Sequence, residues 1–188
     1  MAGAAYEFTV SASDLVDGSV NVVCDPAPGG TFPLGSTTVD CSAEDSHQNH
    51  ATGSFTVTVK DATAPVLALP GDLTAEATDP TGATVFYAAS ATDLVDGVVA
   101  VACDPVSGTV FPLGSTAVTC TAVDTAGNEA AGNFTTTVVD TTPPVISGIP
   151  TDILAAASST VDAPVSYAGP TANDLVDGLV PVTCAPPS

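Results

Sequence analysis

Asp-Leu-Val-Asp-Gly occurs at residues 14–18, again at 93–97 and again at 174–178. Each copy sets two carboxylates three positions apart on a glycine-terminated turn. That arrangement suits two chemistries: holding a hard cation through oxygen, or accepting hydrogen bonds from the turn's own N–H groups. Further oxygen donors recur around it. Asp124 and Asn128 bracket Asp124-Thr-Ala-Gly-Asn128, and Asp61 and Asp140 lie in Thr- and Pro-containing connectors. A donor set of oxygens, with neither thiolate nor imidazole, favours Ca²⁺ over a transition metal. The spacing is not that of an EF-hand loop. Asp61, Asp93, Asp96, Asp124, Asn128, Asp140, Asp174 and Asp177 therefore stand as candidate calcium ligands, with plain turn chemistry as the alternative at each.

The cysteines offer different chemistry. Cys24 and Cys41 lie 17 residues apart, and Cys103 and Cys120 repeat that spacing, so one disulfide is expected in each pair. Cys184 is left over: its partner would lie about 17 residues further on, and a bond to another chain is the alternative. A disulfide closing a loop of this size stabilises a small domain by about 3 kcal/mol. No close cysteine pair and no histidine within the cysteine loops supports zinc. Disulfides imply an oxidising compartment. No signal peptide follows Met1, so the natural protein is expected to start upstream.

Catalysis has little to stand on. His47 and His50 share one loop and are expected to be exposed turn residues, with adventitious metal binding as the alternative, and Lys60 is expected on the surface before a connector. No nucleophile elbow, phosphate-binding glycine loop or metalloprotease motif is present. No cofactor is expected beyond the calcium under consideration. The chain of 188 residues carries 21 acids against one base, a formal charge of −20, which excludes nucleic acid and anionic lipid as electrostatic partners. No apolar run approaches the roughly 20 residues needed to span a bilayer. With 45% apolar and 12% charged residues the chain does not read as disordered. Asn133-Phe134-Thr135 fits a glycosylation sequon, a short pattern with frequent false positives.

The elements that must position these residues follow from self-similarity. The loop recurs at offsets of 79 and 81, and Phe32-Pro-Leu-Gly-Ser-Thr37 recurs at 111–116. Three repeats of roughly 80 residues result: 1–60, lacking its first strand segment, 61–140, complete, and 141–188, truncated at its C-terminal side. Val-, Thr- and Ala-rich runs with period-2 alternation predict strands at 65–69, 73–78, 84–89, 98–103, 115–123 and 132–139. About seven short strands per repeat read as an all-β chain of tandem immunoglobulin-like antiparallel β-sandwich domains. In that topology the Asp-Leu-Val-Asp-Gly loop, the 124–128 hairpin and the preceding connector lie at one end of a sandwich. Asp61, Asp93, Asp96, Asp124 and Asn128 are expected to meet between repeats 1 and 2, and Asp140, Asp174 and Asp177 between repeats 2 and 3.

The motif set resembles the HYR (hyalin repeat) domain. The residues that carry the resemblance are Asp140-Thr-Thr-Pro-Pro144, the Asp-Leu-Val-Asp-Gly loop, Cys103-Asp-Pro105, Phe111-Pro-Leu-Gly-Ser-Thr116, Cys120 and the Asp124–Asn128 hairpin. Repeat 1 departs from it at His47-Gln48, where repeat 2 has Ala126-Gly127. The resemblance implies an immunoglobulin-like extracellular module, often in tandem and associated with adhesion. The expected function is therefore a non-enzymatic extracellular or cell-surface structural protein, a stalk, fibre or filament, whose partners are neighbouring repeats or copies of itself. A strand near Val145 to Ala157 of one chain could complete repeat 1 of the next by strand addition. The alternative is a carbohydrate- or protein-binding module attached to a secreted enzyme or receptor, against which the scarcity of aromatics weighs mildly.

Overall fold

The computed structural model describes residues 3–156 and 165–185. Ala157 and Ser188, which mark two of the expected boundaries, lie outside them. In repeat 1 the strands are β1 (Gly3–Ala5), β2 (Ala12–Asp14), β3 (Gly18–Val20), β4 (Val22–Asp25), β5 (Thr31–Pro33), β6 (Gly35–Glu44) and β7 (His50–Val59). Repeat 2 contains β8 (Val66–Ala68), β9 (Leu73–Glu76), β10 (Ala83–Val85), β11 (Ser90–Asp93), β12 (Gly97–Val99), β13 (Val101–Asp104), β14 (Thr109–Phe111), β15 (Gly114–Val123) and β16 (Glu129–Val139). In repeat 3 they are β17 (Val145–Ser147), β18 (Thr171–Asp174) and β19 (Gly178–Val180). No helix occurs among the described residues.

Repeat 2 is an all-β sandwich with seven strands in its two main sheets. One sheet is ordered β12-β11-β8 and the other β13-β15-β16-β9, with β10 and β14 as a short ribbon at the side. Alternation dictates the packing. Val118, Cys120 and Ala122 on β15, with Phe134, Thr136 and Val138 on β16, turn inward at every second position, leaving Thr and Ser on the outside. Phe111 fills the centre at 0% exposure, and Tyr87 packs edge-on against Phe134 with ring centroids 5.0 Å apart. The Tyr87 hydroxyl donates to the Pro105 carbonyl.

The leading segment changes sheets. β8 runs antiparallel to β11, whereas β9 pairs parallel with β16, Leu73 opposite Thr136. Pro70 lies between them, and its missing N–H suits the break in the ladder. Among the described residues, repeat 1 shows no counterpart of this segment. Its main sheet is β4-β6-β7 alone, and its buried core is reduced to Phe32, Val39 and Cys41. The missing seat is visible at one glycine pair: a β-carbon on Gly132 would meet Leu69 at 2.8 Å, while one on Gly53 would meet nothing.

Three sequence expectations change. The strand expected at 84–89 stops at Val85, where β10 ends, and residues 86–89 link it to β11, because the Ser107 hydroxyl accepts from Tyr87 N (2.9 Å) and donates to Tyr87 O (2.8 Å), occupying backbone groups that a ladder would use. The strand at 98–103 breaks at Ala100 into β12 and β13, which belong to different sheets. β14, unforeseen, pairs with β10, Phe111 opposite Ala83. Both disulfides form, Cys24–Cys41 and Cys103–Cys120, each between directly opposed residues on neighbouring strands of one sheet. Cys184 is free.

Candidate cation sites at the repeat junctions

The acid loop is built by its first aspartate. Asp93 ends β11, and its Oδ1 accepts from Val95 N (2.7 Å) and Asp96 N (3.0 Å). Asp14 and Asp174 do the same for their own loops, Asp174 from Val176 N (2.7 Å) and Asp177 N (3.0 Å). Gly97 then takes φ 75°, a left-handed conformation that a glycine adopts freely, and returns the chain along β12. The N–H groups of Asp177 and Val176 hold the Asp174 carboxyl below the usual range, as those of Asp17 and Val16 do for Asp14.

The second aspartate ties the loop to the hairpin between β15 and β16. Asp96 accepts from Thr125 N (2.7 Å) and from the Thr125 hydroxyl (2.8 Å). Asp124 is fixed within the hairpin, accepting from Asn128 N (2.7 Å) and Asn128 Nδ2 (2.7 Å). Burial raises the Asp124 pKa, but the bonds from Asn128 outweigh it and the carboxyl stays below its ordinary value. Asn128 Nδ2 also reaches the Asp61 carbonyl at 3.5 Å, joining the connector to the hairpin. In the connector, Asp61 Oδ1 accepts from the N–H and hydroxyl of Thr63.

These local bonds bring one carboxylate oxygen each from Asp61, Asp93, Asp96 and Asp124 to within 4.8 Å of one another. Asp140, Asp174 and Asp177 form the equivalent group between repeats 2 and 3. At the first junction Asn128 serves as the anchor of Asp124 and the bridge to Asp61. Two oxygens there are buried without any hydrogen-bond partner, Asp93 Oδ2 and Asp61 Oδ2, and Asp93 is itself only 8% exposed. A buried charged oxygen without a donor is costly unless a cation meets it. At Asp61 and Asp93 the turn-chemistry and calcium readings thus occupy different oxygens: Oδ1 serves the local turn, and Oδ2 is left over, whereas both oxygens of Asp96 and Asp124 already accept hydrogen bonds. Such an oxygen-only set fits Ca²⁺.

In a third group, Asp17, Asp45 and His47, the two aspartates were not among the ligands expected from the sequence. The offset of 79 places Asp17 on Asp96 and Asp45 on Asp124, so the repeat itself held the signal. Among the described residues no connector aspartate joins this group, its residues are more exposed, and His47 Nδ1 lies 3.8 Å from Asp17. Here the hairpin keeps the repeat 2 conformation despite His47-Gln48, with Gln48 at φ 66° where Gly127 has φ 90°.

At the second junction the connector is clamped from behind. Glu76, closing β9, accepts from Thr141 N (2.7 Å) and from the hydroxyls of Thr141 and Thr142 (each 2.9 Å). The Thr141 N–H and the two hydroxyls hold its carboxyl below the usual range.

Repeat 2 is thus a β-sandwich with an acidic cluster at each of its connectors, and a disulfide staples each of the first two repeats. The HYR domain model matches residues 4–59 and 60–138, and the chain belongs to that family. Among similar proteins, Hyalin of Strongylocentrotus purpuratus is 37% identical over 181 residues, 90% of this chain and 15% of its own length. Hyalin of Lytechinus variegatus is 40% identical over 157 residues, 78% of this chain and 29% of its own. The chain spans less than a third of either relative. A solved structure of protocadherin gamma B2 extracellular cadherin domains 3–6 aligns over 60% of this chain and 34% of its own at 17% identity, with a TM-score of 0.32.

Proposed function

We propose that this chain is a length of a non-enzymatic extracellular adhesion shaft, built of repeats 1–60, 61–140 and 141–188, whose joints are stiffened by divalent cations. The carrying observation is the pair of donorless buried oxygens, Asp93 Oδ2 and Asp61 Oδ2, within a group of four carboxylates. Ca²⁺ there would tie a connector, a loop and a hairpin into one joint. The extracellular placement is supported by the disulfides and by the Hyalin relatives. Thermal unfolding of the intact chain in Ca²⁺ and in EDTA tests the cation. A higher Tm in Ca²⁺ than in Mg²⁺ or EDTA is expected, and equal Tm values in all three would refute it.

Head-to-tail association of copies is a second element of this reading. β7 lacks the parallel neighbour that β16 finds in β9, and a groove beside it is lined by Tyr6, Phe8, Phe55 and Val57. In repeat 3 the counterpart segment leaves Ile153 half-exposed and Leu154 fully exposed. Strand addition of one chain's 145–156 to the next chain's repeat 1 would bury both surfaces. Sedimentation should show self-association that Leu154→Asp weakens; a monomer at all concentrations would remove this element and leave the shaft.

A further inference from the structure

The Asp-Leu-Val-Asp-Gly loop carries two apolar residues at its tip that cation binding does not use. In repeat 3, Val176 is 8% exposed and belongs to the continuous core of repeat 2, together with Ala77, Ala83 and Val138. Its counterpart Val16, with no sandwich ahead of it among the described residues, is 80% exposed. Val95, which follows the incomplete repeat 1, is intermediate. The leucines move in step: Leu94 is 91% exposed and Leu175 58%.

The loop sequence and its internal hydrogen bonds are the same in all three, so the neighbour decides the burial. What separates the neighbours is the leading segment. In repeat 2, Ala77 N donates to Val139 O (2.7 Å), and Glu76 clamps Thr141 and Thr142 beside it. The described residues of repeat 1 include no counterpart of either. Between repeats 1 and 2 a cleft of about 790 Å³ remains open, bordered by Gly3, Leu34, Val59, Ala62, Leu94 and Val95.

We propose that the loop valine is the docking element between consecutive repeats. It inserts into the connector end of the sandwich ahead, and the socket is complete only where that sandwich carries its β9 strand. The surface formed by Leu15 and Val16 accordingly fits one partner, the connector end of another sandwich of this kind with its leading strands in place. The proposal deepens the shaft reading above, but burial of an apolar side chain acts with or without a cation.

Hydrogen exchange on the intact chain tests it. Val176→Asp is expected to lower protection at Thr141, Thr142 and residues 171–180 by about tenfold or more, and Val176→Ala by less. Val16→Asp should leave everything beyond its own loop unchanged. Placing residues 61–81 ahead of Gly3, in place of Met1 and Ala2, should raise protection of Asp93–Gly97 by a similar factor. Wild-type protection at Thr141 in both Val176 variants would overturn the proposal, as would an unchanged Asp93–Gly97 loop in the extended chain. An effect of Val176→Asp with none from Val176→Ala would mean added charge rather than lost burial, and would overturn it too. Each measurement is made in Ca²⁺ and in EDTA. A loosening seen in both supports the valine, even if Ca²⁺ itself has no effect and the cation reading fails. A loosening confined to Ca²⁺ leaves the cation reading standing and removes the docking role.

Discussion

Asp93 divides its two oxygens between two tasks. Oδ1 shapes the loop through two N–H groups, while Oδ2 sits buried with no donor among three other carboxylates. The substitutions should therefore separate. Asp93→Ala leaves both N–H groups unmet and should cost about 1–3 kcal/mol in EDTA, measured by chemical denaturation. Asp93→Asn keeps the acceptor and removes a crowding charge. It should match or exceed wild-type stability in EDTA yet lose most of the gain in Ca²⁺. An equal Ca²⁺ gain in Asp93→Asn would place the cation elsewhere. Acid pH acts on neighbouring groups in a defined direction. Asp14, Asp124, Asp174 and Glu76 have folded pKa values below their ordinary ones, so each contributes stability above the usual carboxylate range. That contribution is lost as pH falls through the folded values, and Tm in EDTA should drop below about pH 4.

At the scale of elements, the β15–β16 hairpin, the disulfide that ties β13 to β15 and the β10–β14 ribbon hold repeat 2 together. Gly82 begins the ribbon at φ 123°, where a β-carbon would lie 1.9 Å from the Phe111 carbonyl oxygen. Backbone rather than a mobile side chain blocks that space, so Gly82→Ala should cost about 2 kcal/mol or more. At its counterpart Gly3 the obstruction is also the opposite backbone, Phe32 O at 2.6 Å, but without left-handed strain. Gly3→Ala should be the milder change, and calorimetry of the two variants gives the order. Removing the Cys103–Cys120 bond should cost about 3 kcal/mol. Each bond joins residues already paired in one sheet, so it reinforces a sheet rather than pinning two sheets together.

Across the whole molecule, stability should be uneven. Repeat 2 buries Phe111, Val118, Phe134 and Val138 in one continuous core, whereas repeat 1 buries Phe32, Val39 and Cys41 and leaves Phe55 half-covered. Amide exchange should be slowest in β15 and β16 and faster throughout β6 and β7, their counterparts in repeat 1. Equal protection in the two hairpins would contradict the role given to the leading strands. The charge of −20 also acts at this scale. Acidic joints repel when no cation is bound, so small-angle scattering should show a more extended and variable chain in EDTA than in Ca²⁺. Monovalent salt at matched ionic strength should recover only part of the difference, because screening weakens exposed charges more than a buried cluster.

The amino-acid sequence by itself determined the recurring motifs, the all-β class and the disulfide pairs. These are legible because strand alternation, turn chemistry and an offset of 79 are local or periodic properties. Asp61 and Asp124 could be assigned to one end of a sandwich from loop order alone. Tertiary structure decided what depends on neighbours. Ser107 breaks a strand by reaching Tyr87 from twenty residues away, and the leading segment passes from one sheet to the other. It also decided which carboxylate oxygens remain free of the turns. Val16, Val95 and Val176 sit in identical five-residue loops, and no local signal separates them. Their burial differs because an apolar side chain is excluded from water only by what packs against it, and that is supplied by another repeat.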